Sequence, residues 1–455
     1  MIKRLFNNRH KLDLTDGNVL RNIWVLAYPL MLGNVLQTAF NIVDMIWVGR
    51  LGPEAIASVA MSGIVLLVIM TLVIGMATGT QALVARFSGA KNRQGADNVA
   101  MQSLIIGGLL SIILAIGGMA FARPILQSLG ARTTILQLGT DYLKIILAGG
   151  LMMVYLFLVN AIFHAAGDAR TPMLIMLGAT VLNIILDPLM IFGIGFPRMG
   201  VAGAALATVL SRGIASLLGL SILFQGYSRV RVHLARLRLD IKTIGKIIKL
   251  GFPNSVQMAL RSSVGLFLMA IVARYGNYAI CAYGIGLRIF SVVLMPGFAL
   301  ATSAATLVGQ NLGAREFSRA RTCAWQAAGF NMLLMGFGGA LFFAFSANLI
   351  SIFNTHPSII KLGSEYLKIT SLSYIFIAPA LVLGRSLMGA GDTISPLLIS
   401  AFTLLGIQIP LALILPNHLH IGLSGVWWAI LVSSVLQGIL TCFWFNRGRW
   451  KLKSI

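Results

Sequence analysis

The chain has 455 residues, 58% of them hydrophobic and only 10% charged, where a soluble domain carries about 25%. That balance excludes a soluble enzyme core and points to a protein whose solvent is largely lipid. Its 35 Lys and Arg against 12 Asp and Glu give a formal charge of +23, scattered along the whole chain and so not the footprint of one nucleic-acid patch.

Stretches long enough to cross a bilayer, about 20 apolar residues each, recur from end to end. The basic N-terminus runs through Asp13 and Asp16 and does not read as a cleavable signal peptide. Span one follows at 23–49, and spans two to six at 55–85, 95–121, 136–165, 171–195 and 200–225. A basic, less apolar stretch at 226–246 comes next. Spans seven to twelve are expected at 247–273, 278–309, 319–347, 360–389, 394–416 and 421–445. With twelve spans both termini lie on one side. The segments on that side hold several times as many Lys and Arg as the opposite segments, which hold only Arg50, Arg123, Arg132, Arg198, Arg274 and Lys361. The positive-inside rule then places both termini in the cytoplasm of a multi-pass cell-membrane protein. The run Arg229, Arg231, Arg236 and Arg238 reads as a topology signal touching anionic lipid, with no nucleic-acid partner.

Shifted by 224 residues, the chain matches itself. Tyr28-Pro29 meets Phe252-Pro253, Arg50-Leu51-Gly52 meets Arg274-Tyr275-Gly276, and Tyr142-Leu143-Lys144 meets Tyr366-Leu367-Lys368. Gly167-Asp168 with Pro172 meets Gly391-Asp392 with Pro396. Hydropathy alone would not keep Gly, Pro, Tyr and charged residues at one offset. The expected fold is therefore an all-α integral membrane protein, twelve transmembrane helices in two pseudo-symmetric six-helix lobes. The first lobe is 1–225, the cytoplasmic linker 226–246, and the second lobe with a basic tail 247–455. Six spans per half make the repeats parallel, an arrangement in which transporters bind substrate near the midplane.

Only Asp44 and Asp187 sit deep inside apolar stretches. A carboxylate there costs roughly 2.5–3.5 kcal/mol on insertion scales and marks an ion or proton site by default. Span one carries Asn34, Gln37, Asn41 and Asp44 at steps of 3, 4 and 3, one helix face. Span five carries Thr180, Asn183 and Asp187 at steps of 3 and 4, again one face. At the same offset the second half has Met258, Arg261, Gly265 and Leu268, then Leu404, Ile407 and Leu411, so its stripe is almost gone. Hard cations take oxygen ligands, so Asp44, Asn183 and Asp187 would suit Na⁺, and the same carboxylates would take a proton. Pro29 and Pro188 put a helix-bending element on each acid-bearing span. Arg212 and Arg385 are expected to snorkel toward the cytoplasm. Arg261 and Arg288 are harder to place and could face an anionic group. Cys281, Cys323 and Cys442 share no metal or disulfide spacing. No Walker motif, H-E-x-x-H or nucleophile elbow is present, so ATP-driven pumping and hydrolysis are not expected, and the chain is not read as an enzyme.

Two six-span lobes, the paired Gly-Asp-x-x-x-Pro segments and LVGQNLGARE at 307–316 resemble the multidrug and toxic compound extrusion (MATE) transporters, from about Leu20 to Phe445. The Asp within NIVDMIWVGRLG at 41–52 resembles the DinF-like branch. Other branches carry a functional Glu in span seven, where this chain has PNSVQMALRSSVGLF and no acid. The resemblance implies a MATE/MOP-type fold around a central cleft and secondary active efflux of organic, often cationic compounds. The exchange ion would be H⁺ or Na⁺, with no cofactor, and the chain a monomer in the bilayer acting on a small-molecule drug or toxic compound. It assigns coupling to Asp44, Asn183 and Asp187, with Thr208 matching the span-six threonine. Gln37, Tyr142 and Asn160 match further cavity positions, where Asn34, Asn41, Thr180 and Arg261 would join them, and Pro29 matches the span-one proline. The rival readings are a flippase or exporter of a lipid or lipid-linked saccharide, which would need several basic residues facing the cleft, and a membrane receptor or scaffold.

Overall fold

The computed structural model describes residues 13–195, 197–226, 230–232 and 239–453. Arg229, Arg236 and Arg238 of the expected linker lie outside these residues. Among the described residues there is no strand. The helices are α1 Val19–Gly49, α2 Pro53–Gly89, α3 Arg93–Ser128, α4 Thr133–Ala148, α5 Gly150–Ala165, α6 Arg170–Phe192 and α7 Val201–Gln225 in the first half. The second half contains α8 Ile241–Ala273, α9 Asn277–Gly313, α10 Phe317–Ala344, the short α11 Ser346–Ser351, α12 Pro357–Ser371, α13 Tyr374–Gly389, α14 Ile394–Ala401, α15 Ile409–His418 and α16 Ser424–Asn446.

Ten helical stretches are singly long and apolar enough to cross a bilayer. Spans four and ten differ from the straight helices expected. Each is a broken pair, α4 with α5 bent by 52° and α12 with α13 bent by 55°, and counting each pair once gives twelve. Gly149 at the first break lies where a Cβ would be 2.4 Å from Val209 Cγ1, so the bend brings backbone against the α7 side chain. The two breaks, at 149 and 372–373, fall close to 224 residues apart, as the repeat requires. α8 begins at Ile241, six residues inside the stretch assigned to the linker, because Asp240 caps it: its carboxylate accepts the Thr243 amide at 3.1 Å and the Thr243 hydroxyl at 2.6 Å.

The 224-residue repeat is also written into backbone geometry. Gly52 and Gly276 both have positive φ, 111° and 94°, and so do Gly167 and Gly391, 87° and 89°. Even Lys91 and Arg315, which have side chains, share left-handed values of 56° and 64°. The Gly-Asp-x-x-x-Pro segments are explained by this geometry. The glycine turns the chain out of one helix, and the aspartate caps the next: Asp168 accepts the Thr171 amide at 3.0 Å and Asp392 accepts the Ser395 hydroxyl at 2.7 Å. The halves diverge in span eleven, where residues Phe402–Gln408 form a π-helical turn between α14 and α15. The equivalent stretch of α6, which carries Thr180 and Asn183, is regular α-helix.

The fold divides into two compact units, the first containing Tyr28–Phe252 and the second Leu14–Ala27 with Pro253–Ile455. Both divisions fall inside helices, next to Pro29 in α1 and at Pro253 in α8. The start of α1 belongs to the second unit because it is tied there: Trp24 packs edge-on against Phe330 at 5.7 Å, and Arg319 donates to the Asp16 carbonyl at 2.7 Å. Within the first unit, α6 packs on α7, and α5 on α2, α3 and α7. Apolar side chains such as Ile113, Ile116, Leu333 and Phe337 stand exposed on the helices, as lipid-facing positions must in a multi-pass membrane protein.

Candidate functional site

The polar face of α1 changes environment along its length. Asn34 and Gln37 are half-buried and Asn41 is exposed, whereas Asp44, one turn further, is only 8% exposed. Gln37 donates its amide to Asn41 Oδ1 at 3.2 Å. On α6 the stripe is enclosed throughout, with Thr180, Asn183 and Asp187 all buried. The Thr180 hydroxyl lies 2.8 Å from the Met176 carbonyl and 3.4 Å from that of Leu36, which sets α6 beside α1. Asn183 Nδ2 donates to Asp187 Oδ1 at 2.9 Å. Pro188 follows inside the same helix, where its missing N–H leaves the Ile184 carbonyl without its helical partner.

α7 and α4 complete the cluster. The Thr208 hydroxyl lies near the Asp44 carboxyl, and Asp187 and Asp44 lie within electrostatic range of one another. Tyr142, buried on α4, senses both carboxylates. Arg212 belongs to this cluster as well, which corrects the expectation that it snorkels to the cytoplasm. Its guanidinium stacks over the Phe40 ring at 4.9 Å and faces Asp44 and Tyr142. Its step of four from Thr208 was the available signal, since it puts both on one face of α7.

Four carboxylate and amide oxygens in the first unit are buried with no hydrogen-bond donor among the described residues: Asp44 Oδ1, Asp187 Oδ2, Asn183 Oδ1 and Asn160 Oδ1. Asn160 stands on α5, across the bend of span four from Tyr142. A buried acceptor left unsatisfied costs about 1–3 kcal/mol, and more when charged. The site is thus rich in oxygen and poor in donors, the chemistry that a hard cation or an added proton satisfies. No group of three or more His, Cys, Asp and Glu side chains occurs among the described residues. The donor set is two carboxylates with neutral amide and hydroxyl oxygens.

In the second half the equivalent positions have become core. Leu268, the counterpart of Asp44, is 3% exposed in an apolar cluster with Val264, Val272, Tyr283 and Trp427, and Leu404 and Leu411 pack against it. Arg261 is not part of the carboxylate cluster. It belongs to the second unit, on α8, and lines a cavity of about 170 Å³ there together with Arg385 of α13. Arg385 therefore faces this cavity, another departure from the snorkelling expected of it.

Compared with known proteins, the chain is 29% identical over 448 residues to the probable multidrug resistance protein YoeA of Bacillus subtilis, covering 96% of both chains. It is 29% identical over 435 residues to the FAD transporter of Shewanella oneidensis, covering 94% of both. The fold is similar to the crystal structure of MATE in the bent conformation, with a TM-score of 0.90, 28% identity and coverage of 96% and 97%. Residues 29–189 and 253–414 match the MatE family, one match in each half. With both halves of its helical repeat matched, the chain belongs to the MatE family of multidrug and toxic compound extrusion transporters.

Proposed function

We propose that the protein is a secondary active antiporter that exports organic compounds in exchange for H⁺ or Na⁺ by alternating access. The observation that carries this reading is the pair Asp44 and Asp187, buried together with unpartnered oxygens and only one nearby guanidinium. With both acids ionised, Arg212 offsets one charge and leaves one, so a single monovalent cation neutralises the cluster. Asp44, Asp187, Asn183 and Thr208 would take up this ion, and Tyr142 and Asn160 would border the path of the exported compound. Gln37, Asn41, Asn34 and Thr180 would share that path. Neutralising the cluster removes a repulsion between α1 and α6, whose prolines, Pro29 and Pro188, let each helix change its bend. An ion drives such a change only by binding the two states unequally. The positive charges of the connecting segments support an orientation with both termini in the cytoplasm.

Proteoliposomes with independently imposed sodium and pH gradients test the reading. Efflux driven by one gradient and collapsed by its dissipation is the expected result. Flux indifferent to both would refute it and would favour the receptor or scaffold. A specific feature favours keeping the lipid or lipid-linked saccharide exporter as a second reading: the two arginines, Arg261 and Arg385, that line a cavity in the second unit.

A further inference from the structure

We propose that the second unit holds a binding site for the anionic group, phosphate or carboxylate, of an exported organic compound, formed where Arg261 and Arg385 face one cavity. The proposal names a substrate class and so rests on the export reading given above.

The cavity lies between α8, α9 and α13. α8 contributes Asn254, Gln257 and Arg261 at steps of three and four, one face of the helix. α13 contributes Leu381 and Arg385 at the same step, and Phe298 of α9 adds an aromatic wall. The two guanidinium groups lie close enough to repel, yet no carboxylate lines the space. Among the described residues Arg261 has neither an ion pair nor a hydrogen bond, and it stands open to the cavity. A guanidinium open to a cavity with no carboxylate in its lining is unfavourable at membrane depth unless something supplies the opposite charge. In the first unit the matching registers hold Gln37 and Ala161, so neither arginine is a relic of the repeat.

The lining suits an anion in detail. A guanidinium offers a planar fork of donors that matches phosphate or carboxylate oxygens two at a time. The amide of Gln257 is fixed by donating to Ser400 Oγ at 2.6 Å and to the Pro396 carbonyl at 3.2 Å, so this wall is already ordered. A volume of about 170 Å³ equals roughly five or six waters at ~30 Å³ each. That accommodates a phosphate and its first attached atoms. The rest of an amphiphilic compound would extend along Phe298 and Leu381.

Flavin mononucleotide and riboflavin form a suitable probe pair, because they differ by one phosphate and both fluoresce. Binding to the full chain in phosphatidylcholine nanodiscs is read by quenching, without any ion gradient, so it succeeds or fails independently of the coupling reading. The mononucleotide is expected to bind at least tenfold tighter than riboflavin. Arg261→Gln, which installs the residue the first half carries in this register, is expected to weaken the mononucleotide 10- to 100-fold, as loss of a charge-assisted contact does, and to leave riboflavin unchanged. Arg261→Lys should restore part of the difference, and Arg288→Gln, which does not line the cavity, none of the loss. Equal binding of the two flavins, or loss of both in Arg261→Gln at unchanged melting temperature, would overturn the proposal. So would displacement of the mononucleotide by phosphatidylglycerol added to the nanodisc, which would assign the arginines to a lipid headgroup.

Discussion

Asp44 and Asp187 should respond differently to the same isosteric change. Asp187 interacts with a like charge, Asp44, and with the amide of Asn183. Asp187→Asn keeps an oxygen for Asn183 to donate to, and it removes a repulsion. Its effect on stability is expected to be neutral or favourable, within about 1 kcal/mol, as replacing a buried charge by a neutral group of the same shape often is. Asp44 faces the cation Arg212 and the hydroxyl of Thr208. Asp44→Asn leaves that cation without its carboxylate. The two make no ion pair within 4.0 Å, which caps their attraction at about 4 kcal/mol for an effective dielectric of ~20. Half-exposure of Arg212 brings the expected loss nearer ~1–2 kcal/mol. Both variants forfeit a full charge beside the coupling ion, a few kcal/mol by the same arithmetic, or on the order of 10²–10³ in ion affinity. Melting temperature in detergent and gradient-driven flux in proteoliposomes read the two effects separately. The expected pattern is loss of driven flux in both variants, with a lowered melting temperature only in Asp44→Asn. Full driven flux in either variant, or a larger destabilisation by Asp187→Asn, would refute the assignment of partners.

The remaining expectations concern packing, capping and bending. A Cβ on Gly79 would lie 2.4 Å from the Ile247 carbonyl oxygen, and backbone cannot step aside, so Gly79→Ala should cost about 1–3 kcal/mol. Gly33→Ala on α1 meets nothing within 4 Å and should be neutral or stabilising; thermal melts compare the two. Asp240 is held down at about 2 by the Thr243 hydroxyl, the Asn98 amide and the Thr243 backbone, below the ordinary ~3.9. Its contribution is therefore present above about pH 4 and lost as pH falls toward 2, and melts across that window should show a shallower acid slope for Asp240→Asn. Pro29→Ala restores an N–H to α1. It should retain or raise the melting temperature while lowering driven flux several-fold, and unchanged flux would remove Pro29 from the working cycle.

Hydropathy and the 224-residue offset made the helices and the repeat legible, because spanning length and turn residues are local properties of the chain. The acid-bearing stripes were legible for the same reason, since steps of three and four fix a helix face. Three features were not. Spans four and ten read as continuous apolar runs, and the bend at Gly149 depends on the close approach of Val209, a tertiary contact. The π-helical turn at Phe402–Gln408 contains Thr403, Gly406 and Gln408, residue types that regular membrane helices also carry. Arg212 and Arg385 sit within apolar runs, where lipid-facing and cavity-facing arginines have the same sequence surroundings. Phe40 over Arg212 and the cavity beside Arg385 are supplied by other helices.

The shared backbone of the halves sharpens the meaning of their different side chains. Equivalent glycines hold the same left-handed turns, equivalent aspartates cap the same helices, and equivalent spans are broken at the same place. Against that common scaffold, Asp44 has become Leu268 in an apolar core, and Gln37 has become Arg261 beside a cavity. A carboxylate at the Leu268 position would stand in an apolar core packed around Tyr283 and Trp427. Arg212 already offsets one of the first unit's two carboxylates, and a second arginine there would occupy the role of the incoming ion. The first cluster thus keeps one carboxylate in excess of its arginine and the second cavity has two arginines and no carboxylate in its lining, which is the physical reason to expect cation coupling in the first unit and recognition of an opposite charge in the second.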